Sequence, residues 1–310
     1  MSGLTRREFL ITAGATGAMF ALTGCGDGKQ SGGKARVGKS PASVAGKLAV
    51  ASGKDPAALV AAAVGALGGM SAFVKKDDRV VIKPNAAWAR RPEDAATTNP
   101  KVLAAIVELC GKAGASEIIV VDHVINRPAE MVLQITGIRP ACEREGARVV
   151  SAGNENMYRK LTVPGAQILS DEQVISDVLD ADVLINVPIG KCHSDTKVSL
   201  GMKNLMGVIW SRQPWHSSQS VHQCIAEFCR AVRPTLTILD ANRILLTNGP
   251  QGPGETKDVG QVIAGADPVA VDAYGATLFG LKPKNVEHIR LAHEYGLGEI
   301  DLNKVKMMRV

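Results

Sequence analysis

The chain has 310 residues, 45% of them hydrophobic and 21% charged, enough for one large or two modest globular domains and unlike a disordered chain. Its net charge of +6 is spread along the sequence, and aromatic residues make up only 4%. With no dense basic run and no stacking platform, nucleic acid is not expected as a partner.

The first 25 residues read as an export signal. Arg6 and Arg7 in TRREFL precede a weakly hydrophobic, Gly/Ala-rich stretch from Ile11 to Leu22, the layout of a twin-arginine signal. That stretch falls short of the roughly 20 strongly apolar residues that a spanning helix needs. It ends in LTGC, Leu22 to Cys25, which looks like a lipobox with Cys25 as the lipidation site; an uncleaved anchor is the alternative. The expectation is export by the twin-arginine machinery and anchoring through an N-terminal lipid, at the outer face of the cytoplasmic membrane or in the periplasm. Residues 26–46, rich in Gly, Ser and Lys, read as a flexible tether. Residues 47–310 are then a single α/β domain. Setting Cys25 aside, five cysteines remain, an odd number that cannot all pair in an oxidising compartment. There is no CxxC and no four-cysteine iron–sulfur run. Twin-arginine export carries folded proteins, so a metal loaded before export stays open, with no cofactor identified.

From residue 47 short apolar runs alternate with amphipathic helices. Asp78 to Asn85 (DRVVIKPN) reads as a buried strand ended by Pro84. A helix follows, with Asn99 as N-cap, Pro100 in the first turn and Gly114 at its end. Ser116 to Asp122 is the next strand, then a helix over 129–135, the strand ARVV, a helix near Glu172 to Leu179, and the strand Ala181 to Val187. A helix near Gln219 to Val232 and a strand from Thr235 to Asp240 continue the pattern. This spacing predicts a parallel-rich sheet with helices on both faces. In such sheets ligands bind beyond the carboxyl ends of the strands. Lys83, Asn85, Asp122, His123, Lys191, His193 and Asp240 all sit where strands are expected to end. No GxGxxG or P-loop motif is present.

The stretch 188–207, PIGKCHSDTKVSLGMKNLMG, concentrates the polar chemistry. It reads as a strand-end loop carrying Lys191 and His193, followed by a second element carrying Lys203 and Asn204. Lys191, Lys197 and Lys203 suit phosphate or carboxylate, while a solvated basic loop is the plain alternative. Lysines near other cations also act as bases or nucleophiles. His193 is a candidate acid–base group. His222 and Cys224 lie about 200° apart on a helix, a poor metal geometry. Asp267 reads as the N-cap of a helix starting at Pro268, whereas Asp272, one turn inside among apolar residues, needs a partner and is the better functional candidate. The tryptophans Trp88, Trp210 and Trp215 each trail a suspected site motif, and Asn248 to Gly254 (NGPQGPG) is a turn-rich loop able to close over it.

In order along the chain, VVIKPN, TNPKVLAAIVELC, GASEIIVVD, VPIGKCHSDTKVSLGMKNLMGV, LTILDANRILLTNGPQGPG and ADPVAVDAYGATLFG resemble the family catalogued as domain of unknown function 362. The resemblance covers roughly residues 47 to 300. Its motif, Pro-x-x-Lys-x-His followed by Lys-Asn-Leu-x-Gly, is matched by Pro188, Lys191, His193, Lys203, Asn204, Leu205 and Gly207; Cys192 lies outside it. The resemblance implies no settled activity. Many members carry a ferredoxin-like iron–sulfur module, which these residues lack. It also marks His222, which with His193 and an aspartate would form a metal site.

Three functions follow as expectations. The first is binding, and conversion, of a small anionic molecule: Lys83, Asn85, Asp122, Lys191, Lys197 and Asn204 hold it, and His193, Lys203, Asp240 and Asp272 carry the chemistry. The second is a metal- or iron–sulfur-linked redox protein using His193, His222 and a carboxylate. The third is a solute-binding lipoprotein without catalysis.

Overall fold

Val80–Ile82 and Ile118–Val121, the apolar runs expected as buried strands, pair side by side in a ten-stranded sheet. The computed structural model describes residues 36–37, 40–217 and 220–310. The chain opens with β1 (Arg36–Val37), β2 (Lys47–Ser52), α1 (Pro56–Ala66), β3 (Arg79–Pro84), α2 (Pro100–Lys112) and β4 (Glu117–Asp122). Next come α3 (Ala129–Ile135), α4 (Ile138–Arg144), β5 (Arg148–Ser151), β6 (Tyr158–Thr162), β7 (Asp171–Ile175), α5 (Ser176–Asp180), β8 (Val183–Val187), β9 (Ile189–His193) and β10 (Lys197–Ser199). The remainder is α6 (Gly201–Asn204), α7 (Gln213–Ser217), α8 (Val221–Ala231), β11 (Val232–Arg233), β12 (Leu236–Leu245), β13 (Thr256–Gly265), α9 (Pro268–Thr277), α10 (Glu287–Glu294) and β14 (Lys306–Arg309).

Across the sheet the order is β14-β2-β13-β12-β8-β3-β4-β5. The strands from β12 to β5 are mutually parallel, as are β14 and β2; along this path only β13 runs antiparallel. Alternate side chains feed two cores, as period-2 geometry requires. Ile118 and Val120 of β4 join the core with α1 and α2, while Ile119 and Val121 join the core with α8 and α9. With both faces buried, each central strand is a continuous apolar run. The helices begin where their caps place them: Asp55, Asn99, Ser220 and Asp267 each accept backbone N–H bonds at the starts of α1, α2, α8 and α9.

Three elements differ from expectation. The segment expected as a helix near Glu172 to Leu179 is helical only in its second half, in α5; its first half is β7, because an antiparallel partner, β6, is available and the β-branched Val174 and Ile175 are buried there. The strand expected to end at Asp240 continues to Leu245, since β13 pairs with its whole length through a bulge after Ala241. The stretch expected as a strand-end loop is a hairpin: β9 takes up pairing with β12 just past β8, and β10 folds back on it with Lys197 opposite His193. Lys197 has φ of 65°, the left-handed conformation that a three-residue hairpin connection uses.

The export signal, Arg6, Arg7 and Cys25 lie outside the described residues. At the end of the stretch expected as tether, Val44 is buried and Ser40 Oγ donates to Thr235 O, so packing against the domain begins before residue 47. No helix among the described residues is long and apolar enough to cross a membrane.

Candidate functional site

The parallel direction of β3, β4 and β8 brings their carboxyl ends to one rim, where a cavity of about 510 Å³ opens. Lys83 and Asn85 reach it from the end of β3, Asp122 and His123 from β4, and Lys191 and His193 from β9. Lys203 and Asn204 of α6, Arg212, and His216 of α7 line it as well. The turn-rich loop reaches the cavity through Pro250, and Arg90 ties that loop to the β3–α2 connection by donating to Gln251 O and Gly252 O.

Lys83, Lys191 and Lys203 are all buried, at 1%, 1% and 7% exposure. Lys83 Nζ pairs with Asp122 Oδ1 at 2.9 Å, and Asp122 Oδ2 accepts the Ala86 N–H at 2.7 Å. Burial lowers the Lys83 pKa, with Asp122 acting against it. Lys191 Nζ donates to Asn85 Oδ1 (3.0 Å) and to Ala96 O (2.6 Å). Burial first, then the Lys203 charge, brings its pKa down from 10.5 to about 7. Lys203 Nζ donates, among the described residues, only to Met206 Sδ, at 3.2 Å, and burial brings its pKa down to about 8. Among the described residues neither Lys191 nor Lys203 has a carboxylate within 4.0 Å. Gly207 of the KNLMG motif lies against the ion pair: a Cβ there would come within 2.6 Å of Lys83 Nζ.

The asparagines form a relay. Asn85 Nδ2 donates to Asn204 Oδ1, Asn204 Nδ2 to Asn186 Oδ1, and Asn186 Nδ2 to Gly201 O, at 2.8–2.9 Å. Each side-chain amide of Asn85 and Asn204 is thereby engaged at both ends. They fix Lys191 and the spacing of β3, β8 and α6.

Two imidazoles face the cavity with defined tautomers. The Asp195 N–H donates to His193 Nδ1 at 3.1 Å, which puts the His193 proton on Nε2. Burial and the Lys203 charge push the His193 pKa down to about 3, so it is a neutral donor. His216 Nδ1 lies 2.8 Å from Asp195 Oδ2 and donates to it, leaving the Nε2 lone pair free. The two rings stack 6.2 Å apart. A third imidazole, His123, stacks on Trp210 at 5.3 Å, with Tyr158 at its edge, and the Arg212 guanidinium donates to His123 O. Trp88 and Arg127 complete the rim. Trp215 instead is core, packed on Phe228.

Of the residues expected here, Lys83, Asn85, Asp122, Lys191, His193, Lys203 and Asn204 line the cavity. Four do not. Lys197 is exposed at the hairpin tip and donates to Asn285 O. Asp240 is wholly buried and accepts the backbone N–H groups of Asn99 and Asn242, docking the start of α2 on β12. Asp272 is wholly buried too; rather than meeting Lys203 or Lys83, it accepts the N–H groups of Gly201 and Met202 at 2.7 and 2.9 Å, capping α6 from α9. Burial raises these carboxyls to about 6 and about 7. His222 Nδ1 meets His288 Nδ1 at 3.2 Å, away from the cavity wall. Among the described residues no three His, Cys, Asp or Glu side chains are gathered to hold a metal ion, so the His193–His222–carboxylate set is not assembled. Cys110, Cys142, Cys224 and Cys229 are buried, as the helix pattern predicts for the last two. Sequence reasoning placed His123 at a strand end without giving it a role, and missed Arg127, Asp195 and Arg212, which sit on connections without periodic pattern, and the chemistry of His216 on the five-residue α7. Asp195 and His216 are 21 positions apart, and only the fold pairs them.

The sequence pattern of a family described as domain of unknown function (DUF362) matches residues 80–277. A thylakoid-associated protein of Synechocystis is 27% identical over 249 residues, 74% of this chain and 72% of the relative. The lactate racemase apoprotein from Thermoanaerobacterium thermosaccharolyticum aligns with a TM-score of 0.46 at 11% identity, over 80% of this chain and 62% of that one. A structural-genomics protein from Thermotoga maritima aligns with a TM-score of 0.46 at 12% identity, over 74% of this chain and 60% of its own. The chain thus spans about three-fifths of each of these solved chains.

Proposed function

This chain belongs to the domain of unknown function 362 family, and we propose that it binds a small phosphate- or carboxylate-bearing molecule in the lysine-lined cavity and acts on it there. One observation carries this reading: Lys191 and Lys203 are buried at the cavity wall with no carboxylate partner. An unpaired buried cation costs several kcal/mol, and an anionic ligand that pairs with it recovers much of that cost. Lys83, Arg127 and Arg212 add positive charge around the same cavity, against Asp122 and Asp195. A cavity of about 510 Å³ suits a metabolite-sized ligand. In this arrangement the lysines hold anionic oxygens, His193 Nε2–H donates to the ligand, and His216, oriented by Asp195, accepts a proton.

Calorimetric titration with inorganic phosphate, glycerol 3-phosphate and lactate tests the binding. Lys191→Met and Lys203→Met are each expected to weaken it by about 10- to 100-fold, the worth of one charge-assisted bond. If both variants bind as the wild type does, the site is wrongly assigned. Native mass spectrometry of protein from its own host identifies the retained molecule, and its turnover separates an enzyme from a solute-binding protein.

We further propose that the protein is exported by the twin-arginine route and tethered by lipid at Cys25. Arg6–Arg7 and the Leu22–Cys25 lipobox support this reading. Replacing both arginines by lysine should retain the protein in the cytoplasm, and Cys25→Ser should abolish incorporation of labelled palmitate. Palmitate incorporation that survives Cys25→Ser refutes the lipid site.

A further inference from the structure

Three lysines reach the cavity, and their amines are not equivalent. Lys83 Nζ is committed to Asp122 and to Pro84 O. Lys191 Nζ is fixed between an amide oxygen and a backbone carbonyl. Lys203 Nζ has one hydrogen-bond partner among the described residues, the thioether of Met206, and a thioether is a weak acceptor. Lys203 is therefore a buried amine, at 7% exposure, whose protons no oxygen holds, at the wall of a cavity built for anions. Such an amine loses its proton more readily than a paired one, and a pKa near 8 accords with that.

Two side chains beside it handle protons. His216 keeps its Nε2 lone pair free because Asp195 holds Nδ1, and His193 keeps its proton on Nε2. Both imidazoles feel the Lys203 charge, which lowers each of their pKa values.

We propose that Lys203 is a covalent site that forms an imine with the carbonyl carbon of an anionic aldehyde or ketone, such as a 2-oxo acid or a phosphorylated aldehyde. This rests on the anion-binding reading of the cavity, since Lys83, Lys191 and Arg212 must hold the ligand's carboxylate or phosphate. The neutral Lys203 amine attacks the carbonyl carbon. A C–N bond forms, and the carbonyl π pair moves to oxygen, to which His193 Nε2–H donates. His216 Nε2 takes a proton from nitrogen and returns it to the oxygen, giving a neutral carbinolamine; the second nitrogen proton then follows the same route to the hydroxyl, which leaves as water as the C=N bond forms. Amine plus carbonyl gives imine plus water, with no change of oxidation state.

The test is reductive trapping. The protein is incubated with pyruvate, glyoxylate or glyceraldehyde 3-phosphate and sodium cyanoborohydride, and the modified peptides are mapped by mass spectrometry. A single adduct near one per chain is expected on the peptide carrying Lys203, and Lys203→Arg should lose it. Lactate and glycerol 3-phosphate, which lack the carbonyl, should bind by calorimetry, form no adduct, and slow the trapping. Mapping on the wild type decides the matter even if Lys203→Arg fails to fold. Adducts scattered over exposed lysines, or none at all while glycerol 3-phosphate still binds, overturn the imine and leave the anion site standing. Absence of both adduct and anion binding overturns both.

Discussion

Lys203 is costly to the fold in the absence of a ligand. A buried ammonium facing a thioether has lost its water and gained little in return, and a methionine of similar length removes the charge without leaving a large void. Lys203→Met should therefore raise the stability of the ligand-free protein by about 1–3 kcal/mol while weakening anion binding by about 10- to 100-fold. Thermal melts with and without glycerol 3-phosphate check this; a variant that melts lower than the wild type would show that Lys203 has a stabilising partner. At this scale Lys191, His193 and Lys203 were legible in the sequence as cavity-lining residues, because their type and strand-end position set them apart. Asp240 and Asp272 were misread for a physical reason. A carboxylate among apolar residues signals a partner, and the sequence does not tell a ligand from a backbone N–H.

α6 has four residues, too few to hold a helix alone, yet it carries Lys203 and Asn204. Its position comes from α9: the Asp272 carboxylate caps it through two short N–H bonds, and Gly201 is the residue that lets the carboxylate approach, since a Cβ there would lie 2.7 Å from Asp272 Oδ1. Removing that carboxylate leaves two buried N–H groups unpaired. Asp272→Ala should cost about 2–4 kcal/mol in urea denaturation and weaken phosphate binding more than the loss of stability accounts for, because α6 shifts. Unchanged affinity in the folded variant would mean that α6 is held by its apolar contacts instead. Element boundaries were legible wherever burial on both faces makes an apolar run, as in β3, β4 and β8. The β9–β10 hairpin was not: Gly190, Lys191, Cys192 and His193 serve the site on one side and the ladder on the other, so no alternation survives to mark a strand.

The whole molecule joins these parts through strand direction, which sets several buried cations side by side at one rim and links stability to pH. A lysine whose pKa is depressed on folding binds fewer protons in the folded than in the unfolded protein, between its folded value and 10.5. Stability accordingly rises with pH across that window, and the penalty is present in full below it. Lys191 opens the window at about 7 and Lys203 at about 8. The carboxyls of Asp240 and Asp272, raised to about 6 and about 7, act in the opposite sense; Asp240 has largely ionised by about pH 7, and the half of Asp272 still protonated there offsets only a small part of the rise. Above about pH 9 the unfolded chain ionises its cysteines while burial keeps Cys110, Cys142 and Cys224 protonated up to about 12, which turns the trend downward. The ligand-free protein should therefore gain about 1–2 kcal/mol from about pH 7 to about pH 8.5. Urea denaturation across that range checks the rise, and two controls locate it. Lys191→Met should flatten most of it, and saturating glycerol 3-phosphate should flatten it by pairing with both ammoniums. A wild-type stability that falls from about pH 7 to about pH 8.5 would place the lysines in contact with counter-charge and remove the basis for an anion site.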